Sequence, residues 1–305
     1  MELLTREWDL MELPGGEILT VVGTFEGPQA RGRLTYMPGH GGTLEISGRC
    51  YRKTSYEIWD EIGCARQVLA IPGESHYMVT ARDIVRHYPA LPLEGTRREL
   101  ADLAAVLEAA GVPAAVGGSR ALGASHAGSD YDLVVYGKDS IARAAKAITG
   151  LPGYAPDVHF GMDFMRAKYR HFTRLSAGDL DVLAGGRWRH FRYRGIPMSV
   201  DGADPGLLAD RWASGRVRIL DAGHVRGVVL DGSQCYLSPK IIDVQADTGM
   251  VQVFTWLNLY AGALRTGDEV EVFGRWAMMH GREFLLVQGS AHAIRVLARP
   301  SADPV

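Results

Sequence analysis

Apolar residues recur along this chain at two spacings, and the changes between them divide it. Residues 17–25 and 30–37 are rich in apolar, β-branched and aromatic residues and read as two strands. Gly27-Pro28 and the run from Pro38 to Gly42 break them, and residues 50–53 extend the same sheet. Residues 55–63 and 81–87 read as short helices, the second capped by Thr80. A small N-terminal α+β unit is therefore expected over residues 1–94.

Pro89 and Pro92 mark a boundary, after which the spacing turns helical. Thr96 stands as an N-cap with Glu99 three residues on, a capping box, and Leu100, Leu103, Ala104 and Leu107 share one face. Gly111 ends that helix ahead of Pro113. Residues 139–149 predict an alanine-rich amphipathic helix capped by Asp139, and residues 162–175 a further one bearing Arg166, Lys168, Arg170 and Arg174. From about residue 216 the pattern changes to closely spaced strands. Strands are expected at 225–230, 240–244, 251–256, 269–276 and 282–287, with a helical piece at 257–264.

The chemistry concentrates in residues 116–137, V-G-G-S-R-A-L-G-A-S-H-A-G-S-D-Y-D-L-V-V-Y-G. This stretch reads as a strand end, a small-residue turn, a loop and a second strand. Asp130 and Asp132 stand two apart, so both carboxylates project from one face, about 6.6 Å apart at the backbone. Paired carboxylates are hard oxygen donors of the kind Mg²⁺ takes. Gly117 and Gly118 let the backbone approach a ligand, and Ser119 opens a segment whose free amides can donate to phosphate oxygens. Charge set against Leu133-Val134-Val135 is costly to keep without a use.

Gly118-Ser119, ten residues, and then Asp130-Tyr131-Asp132-Leu133 resemble the signature of the DNA polymerase β-like nucleotidyltransferase superfamily. Gly123 and Ser129 are similar to its minimal members as well. The resemblance implies an α+β fold: a nucleotidyltransferase core over residues 95–212, with a mixed sheet carrying helices on one side. An N-terminal α+β domain at 1–94 and a C-terminal OB-like β-barrel at 213–305 would flank it. It implies Mg²⁺ (or Mn²⁺) on Asp130, Asp132 and a third carboxylate, and an NTP seated by Gly117, Gly118, Ser119, Arg120 and Ser129. The reaction would move a nucleoside monophosphate to a hydroxyl or amine acceptor, nucleic acid or small molecule, and release pyrophosphate.

Asp201, after the apolar run Ile196-Pro197-Met198-Ser199-Val200, is the first candidate for the third carboxylate and for a catalytic role. Asp181, equally a helix-surface acid, is the second. Residues 187–194, R-W-R-H-F-R-Y-R, form an Arg/aromatic strand. On a regular strand Arg187 and Arg189 share one face and Arg192 and Arg194 the other, unless a bulge intervenes. Such arginines hold phosphate or simply face solvent on an edge strand. The same two readings apply to Arg31 and Arg33, two apart on one strand with Arg52 and Lys53 nearby, the solvated reading being the commoner. His126, in the loop, is a weaker phosphate or base contact.

Five strands with a helix between the third and fourth resemble an OB-fold barrel, and residues 267–274 resemble its fourth strand. Tyr236, Phe254, Trp256 and Trp276 are candidate stacking platforms or barrel filling, while Asp243, Glu269 and Glu271 count against a polyanion partner. The alternative function is thus a non-catalytic single-stranded nucleic-acid-binding protein built on the barrel and the Arg/aromatic strand.

Composition narrows these readings only slightly. At 305 residues with 47% hydrophobic and 22% charged residues the chain is globular, and a net charge of −2 excludes general coating of nucleic acid. Cys50, Cys64 and Cys235 lack C-x-x-C spacing, so neither a zinc site nor a disulfide framework is expected. The N-terminal residues carry no basic-then-apolar leader, and no run reaches the ~18 apolar residues of a membrane span, so a cytoplasmic protein without a membrane partner is expected.

Overall fold

The computed structural model of the chain describes residues 6–24, 29–39, 42, 44–54, 66–71, 74–96, 98–124, 129–157, 162, 165–167, 169–185, 188–204, 217–279 and 281–300. Among the described residues the protein is mostly β, with 47% strand against 20% helix, and includes a half-barrel sheet and a closed five-stranded barrel. This overturns the expected α+β class: the chain is not a helix-packed nucleotidyltransferase core, because its helices are too few and short to cover its sheets. It divides into two compact units, Met1–Ala155 with Arg192–Ser214, and Pro156–Phe191 with Gly215–Val305.

The first unit opens with β1 (Leu10–Glu12), β2 (Ile18–Thr24), β3 (Gln29–Pro38), β4 (Leu44–Ile46), β5 (Arg49–Lys53), β6 (Arg66–Ile71), β7 (Glu74–Thr80) and β8 (Arg86–Tyr88). They form one sheet in the order β4-β5-β3-β2-β1-β8, with β7 also on β3 and β6 on β7. The helix expected at 81–87 is a turn followed by β8. Asp83 accepts hydrogen bonds from the Thr80 amide and hydroxyl at 2.7 and 2.8 Å, and β8 then pairs with β1. The stretch 55–63 lies outside the described residues.

Both faces of this sheet are buried. Met11, Leu13, Leu19, Val21, Ala30, Leu34, Tyr77 and Val79 pack on one; Leu10, Ile18, Tyr36, Ile46 and Tyr51 pack on the other, together with Leu122 from further along the chain. That shared core carries the unit through the 94/95 position expected to be a boundary.

The unit continues with β9 (Leu91–Pro92), α1 (Ala101–Ala109), β10 (Ala114–Val116), the single turn α2 (Gly118–Ala121), β11 (Tyr131–Tyr136) and α3 (Ser140–Thr149). The chain passes out of the unit within β12 (Tyr154–Pro156), returns within β13 (His190–Tyr193), and forms β14 (Ile196–Ala203). Helix α1 starts later than its capping box predicts, because the Thr96 hydroxyl donates to Leu93 O at 2.7 Å within a 3₁₀ turn. Asp139 stands at the N-cap of α3 without a side-chain capping bond. Strand β11 sits between antiparallel β10 and parallel β14, which explains its near-continuous apolar run.

The second unit contains α4 (Ala177–Ala184), opened by a capping box between Ser176 and Asp179. Its barrel comprises β15 (Arg218–Asp231), β16 (Lys240–Ala246), β17 (Gly249–Thr255), β18 (Glu269–Met279) and β19 (Arg282–Leu286). The order β15-β16-β17-β19-β18 closes by pairing β18 with β15, and β17 and β19 are parallel. A further strand, β20 (Ala293–Ala298), pairs with the first half of β18 and was not expected from sequence. Only Asn258–Tyr260 of the piece expected at 257–264 is helical, as one 3₁₀ turn. Among the described residues no helix is long and apolar enough to cross a membrane.

Candidate active site

The site is built on the β11–β14 pair. In their parallel register Asp132 lies opposite Ser199 and Val134 opposite Asp201, so Asp132, Ser199 and Asp201 share one face of the sheet. Asp130 stands just before β11 and follows the same alternation. The Ser199 hydroxyl donates to Asp132 Oδ1 at 2.8 Å. Ser199 and Asp201 are buried, and Asp132 is half-buried but densely surrounded. Burial first, then the Asp130 charge, push the Asp132 carboxyl up to about 6; Asp201 adds to the push, while Lys53 and the Ser199 hydrogen bond oppose it.

The glycine turn touches this carboxylate. Gly118 holds a φ of +65°, and a Cβ there would stand 2.0 Å from Asp132 Oδ2 and 3.0 Å from its Cγ. Only glycine fits. The Gly117 amide donates to the Asp132 carbonyl at 2.9 Å, which ties the start of the turn to the strand. Ser119 is half-buried, and its carbonyl accepts the Ala124 amide at 3.0 Å.

Arg120, expected among the nucleotide-binding residues, braces the strand. Its Nε donates to Asp130 O at 3.0 Å and Nη2 to Ser129 O at 2.5 Å, with the guanidinium 3.6 Å from the centroid of the Tyr131 ring. These bonds fix the backbone on which Ser129 and Asp130 are carried.

Residues that the sequence left without a role line the other side. Tyr36, on β3, is 5% exposed and packs with Leu122, next to Ala121 and Ala124 that follow the glycine turn. Burial raises its phenol above the ordinary value, and the charges of Asp132 and Asp130 raise it further against the opposing Arg33. Lys53 is the cross-strand partner of Tyr36. Arg31, read as one side of a solvated strand, is buried instead, and its Nε donates to His76 Nδ1 at 2.8 Å. The one available signal was the Arg-x-Arg spacing; which face it occupied depended on the covering segment.

The remaining candidates lie elsewhere. Asp181, the alternative third acid, is on α4 and pairs with Arg166 through two hydrogen bonds of 2.8 and 2.5 Å. The Arg/aromatic strand is shorter than expected: Arg194 turns at a φ of +50° and pairs with Asp102 on α1, Arg192 is exposed, and Arg189 is buried in the second unit. Arg187, Lys168, His126 and Cys64 lie outside the described residues. Phe254 and Trp256 fill the barrel, Trp276 is half-buried, and Tyr236 accepts a hydrogen bond from Trp188 Nε1 at 2.7 Å. Cys50 and Cys235 are free thiols.

Among the described residues no three His, Cys, Asp or Glu side chains converge tightly enough to hold a metal ion unaided. Comparison with known proteins gives no match to any family model, and no significant match to a curated protein or to a solved structure.

Proposed function

We propose that this face is a nucleotidyltransferase site that moves a nucleoside monophosphate from an NTP to a hydroxyl or amine acceptor, releasing pyrophosphate. The motif carries the reading, not the fold class. Its main support is the contact between Gly118 and Asp132, where a Cβ would come within 2.0 Å of the carboxylate. Phosphate-seating backbone and metal-seating acid then meet at one point.

Asp130, Asp132 and Asp201 fit Mg²⁺ in donor type, being hard carboxylate oxygens, and the burial and then the neighbouring carboxylate charge that hold Asp132 up are what a divalent cation would offset. Mg²⁺ keeps waters and substrate phosphate oxygens among its ligands, so the carboxylates need not complete its shell. Bound there, the ion supplies charge neutralisation at the α-phosphate and the leaving pyrophosphate.

The chain's own residues act by positioning. Backbone amides at Gly118 and Ser119 receive phosphate oxygens, Ser199 fixes the Asp132 carboxylate, and Arg120 stiffens the backbone carrying Asp130. The acceptor oxygen or nitrogen would then attack the α-phosphorus in line with its breaking bond to the pyrophosphate oxygen, and the acceptor's proton would pass to solvent water.

Transfer of α-labelled NTP to nucleic-acid and small-molecule acceptors tests this. Asp130→Asn and Asp132→Asn each abolish labelling while the protein stays folded. A double variant that labels as well as the parent removes the reading.

A further inference from the structure

A single extra residue turns the N-terminal sheet toward the acids. Ile18 lies opposite Tyr36, but Leu19 lies opposite Leu34, so Thr35 is a β-bulge. The bulge moves Tyr36 off the face that holds Leu34 and onto the one that holds Ile18, Tyr51 and Leu122. Lys53 pairs with Tyr36 and follows Tyr51 by two, so it stands on that same face. Arg31 and Arg33 alternate with Ala30 and Leu34 and so occupy it too.

This face packs on the residues just after the glycine turn: Ala121, Leu122 and Ala124. Three cations and a buried phenol therefore face the segment that touches Asp132. The electrostatics agree, since the Lys53 charge acts on Asp132 and the charges of Asp130 and Asp132 act on Tyr36.

We propose that the N-terminal sheet is the second wall of the nucleotide site, with Lys53 and Arg33 holding the β- and γ-phosphates of the NTP opposite the carboxylates. The inference rests on the transferase reading. Three carboxylates repel a polyphosphate unless positive charge stands across from them, and lysine serves phosphate as a mobile point charge. Arg31 is held by His76 at 2.8 Å and stiffens the wall. Tyr36 sets its depth.

The test uses the full chain with Mg²⁺ and, by calorimetry, the NTP giving the largest thermal shift, its monophosphate, and inorganic tripolyphosphate as competitor. Lys53 is exposed, so Lys53→Met leaves folding intact. It weakens NTP and tripolyphosphate binding about tenfold, raises KM with little change in kcat, and leaves the monophosphate unaffected; Lys53→Arg restores most of the loss. If Lys53→Met binds the NTP like the parent while Asp132→Asn does not, the second wall is wrong and the transferase reading stands. If the parent itself shows no Mg²⁺-dependent NTP binding, both fall.

Discussion

Gly118→Ala probes the contact on which the site depends. A φ of +65° costs an L-residue about 1 kcal/mol. The added Cβ would also sit 2.0 Å from Asp132 Oδ2. The carboxylate cannot simply swing aside, because its other oxygen holds the Ser199 hydroxyl at 2.8 Å and its backbone carbonyl holds the Gly117 amide at 2.9 Å. Relief therefore breaks a hydrogen bond to a charged group, worth about 2 kcal/mol. The sum is about 3 kcal/mol, which lowers Tm by about 6–12 °C for a unit of this size. Gly123→Ala is the control: its φ is +68° and nothing lies within 4 Å of the added Cβ, so it bears the backbone term alone. Thermal melts of the two variants, with Mg²⁺-dependent NTP binding measured alongside, separate strain from collision. Equal melting points, or parental NTP binding by Gly118→Ala, refute the contact.

Asp132→Asn raises Tm in metal-free buffer while abolishing transfer, because the amide needs no burial of charge and still accepts from Ser199; a lower Tm in a melt contradicts this. Arg120→Lys loses the forked grip on the Ser129 and Asp130 carbonyls and lowers stability by about 1–2 kcal/mol in urea denaturation, with kcat falling more than NTP affinity. Glu7, 4% exposed, has a carboxyl pushed up to about 8 by burial and then by the Asp204 charge. The folded chain thus holds this proton more tightly than the unfolded one, so stability falls as pH rises from the ordinary carboxyl range through about 8, by on the order of 5 kcal/mol at most. Glu7→Gln flattens that slope in urea titrations across the window, and an unchanged slope rejects the assignment.

The contact between residues 118 and 132 was legible in the sequence because it is local. A strand rich in Leu and Val with two acids at period two has one buried arrangement, and a double glycine ending twelve residues before Asp130 has few reasons to exist elsewhere. Ser199 and Asp201 come from far along the chain, yet the short apolar run before Asp201 marked them as strand residues. Fold class was not legible in the same way. Strands as short as β1, β4, β8 and β9 span too few residues to show a period, and 81–87 looked helical only because nothing in it reveals pairing with β1. Which side of the N-terminal sheet Tyr36 faces was hidden by Thr35. One inserted residue reverses the side that every following side chain faces, and alternation read from the sequence passes over it.

Departures from local rules gather at this one place. Gly118 is left-handed, Asp132 keeps a carboxylate where its charge is unwelcome, β3 carries an extra residue, and Arg31 is buried. Each costs stability, and an apolar replacement would be easy to accommodate in a sheet already buried on both faces. The barrel contrasts with this. Its buried Lys240 donates to Asn258 Oδ1 at 3.2 Å and to Leu237 O at 3.4 Å, and its buried Asp268 accepts the Arg265 amide at 3.0 Å beside Arg299. Those charges are absorbed by neighbours in the barrel itself. The acids of β11 and β14 touch the glycine turn and the face of β3 and β5 that carries the cations packs on the residues after it, an arrangement whose free-energy cost the proposed polyphosphate and metal ion would offset.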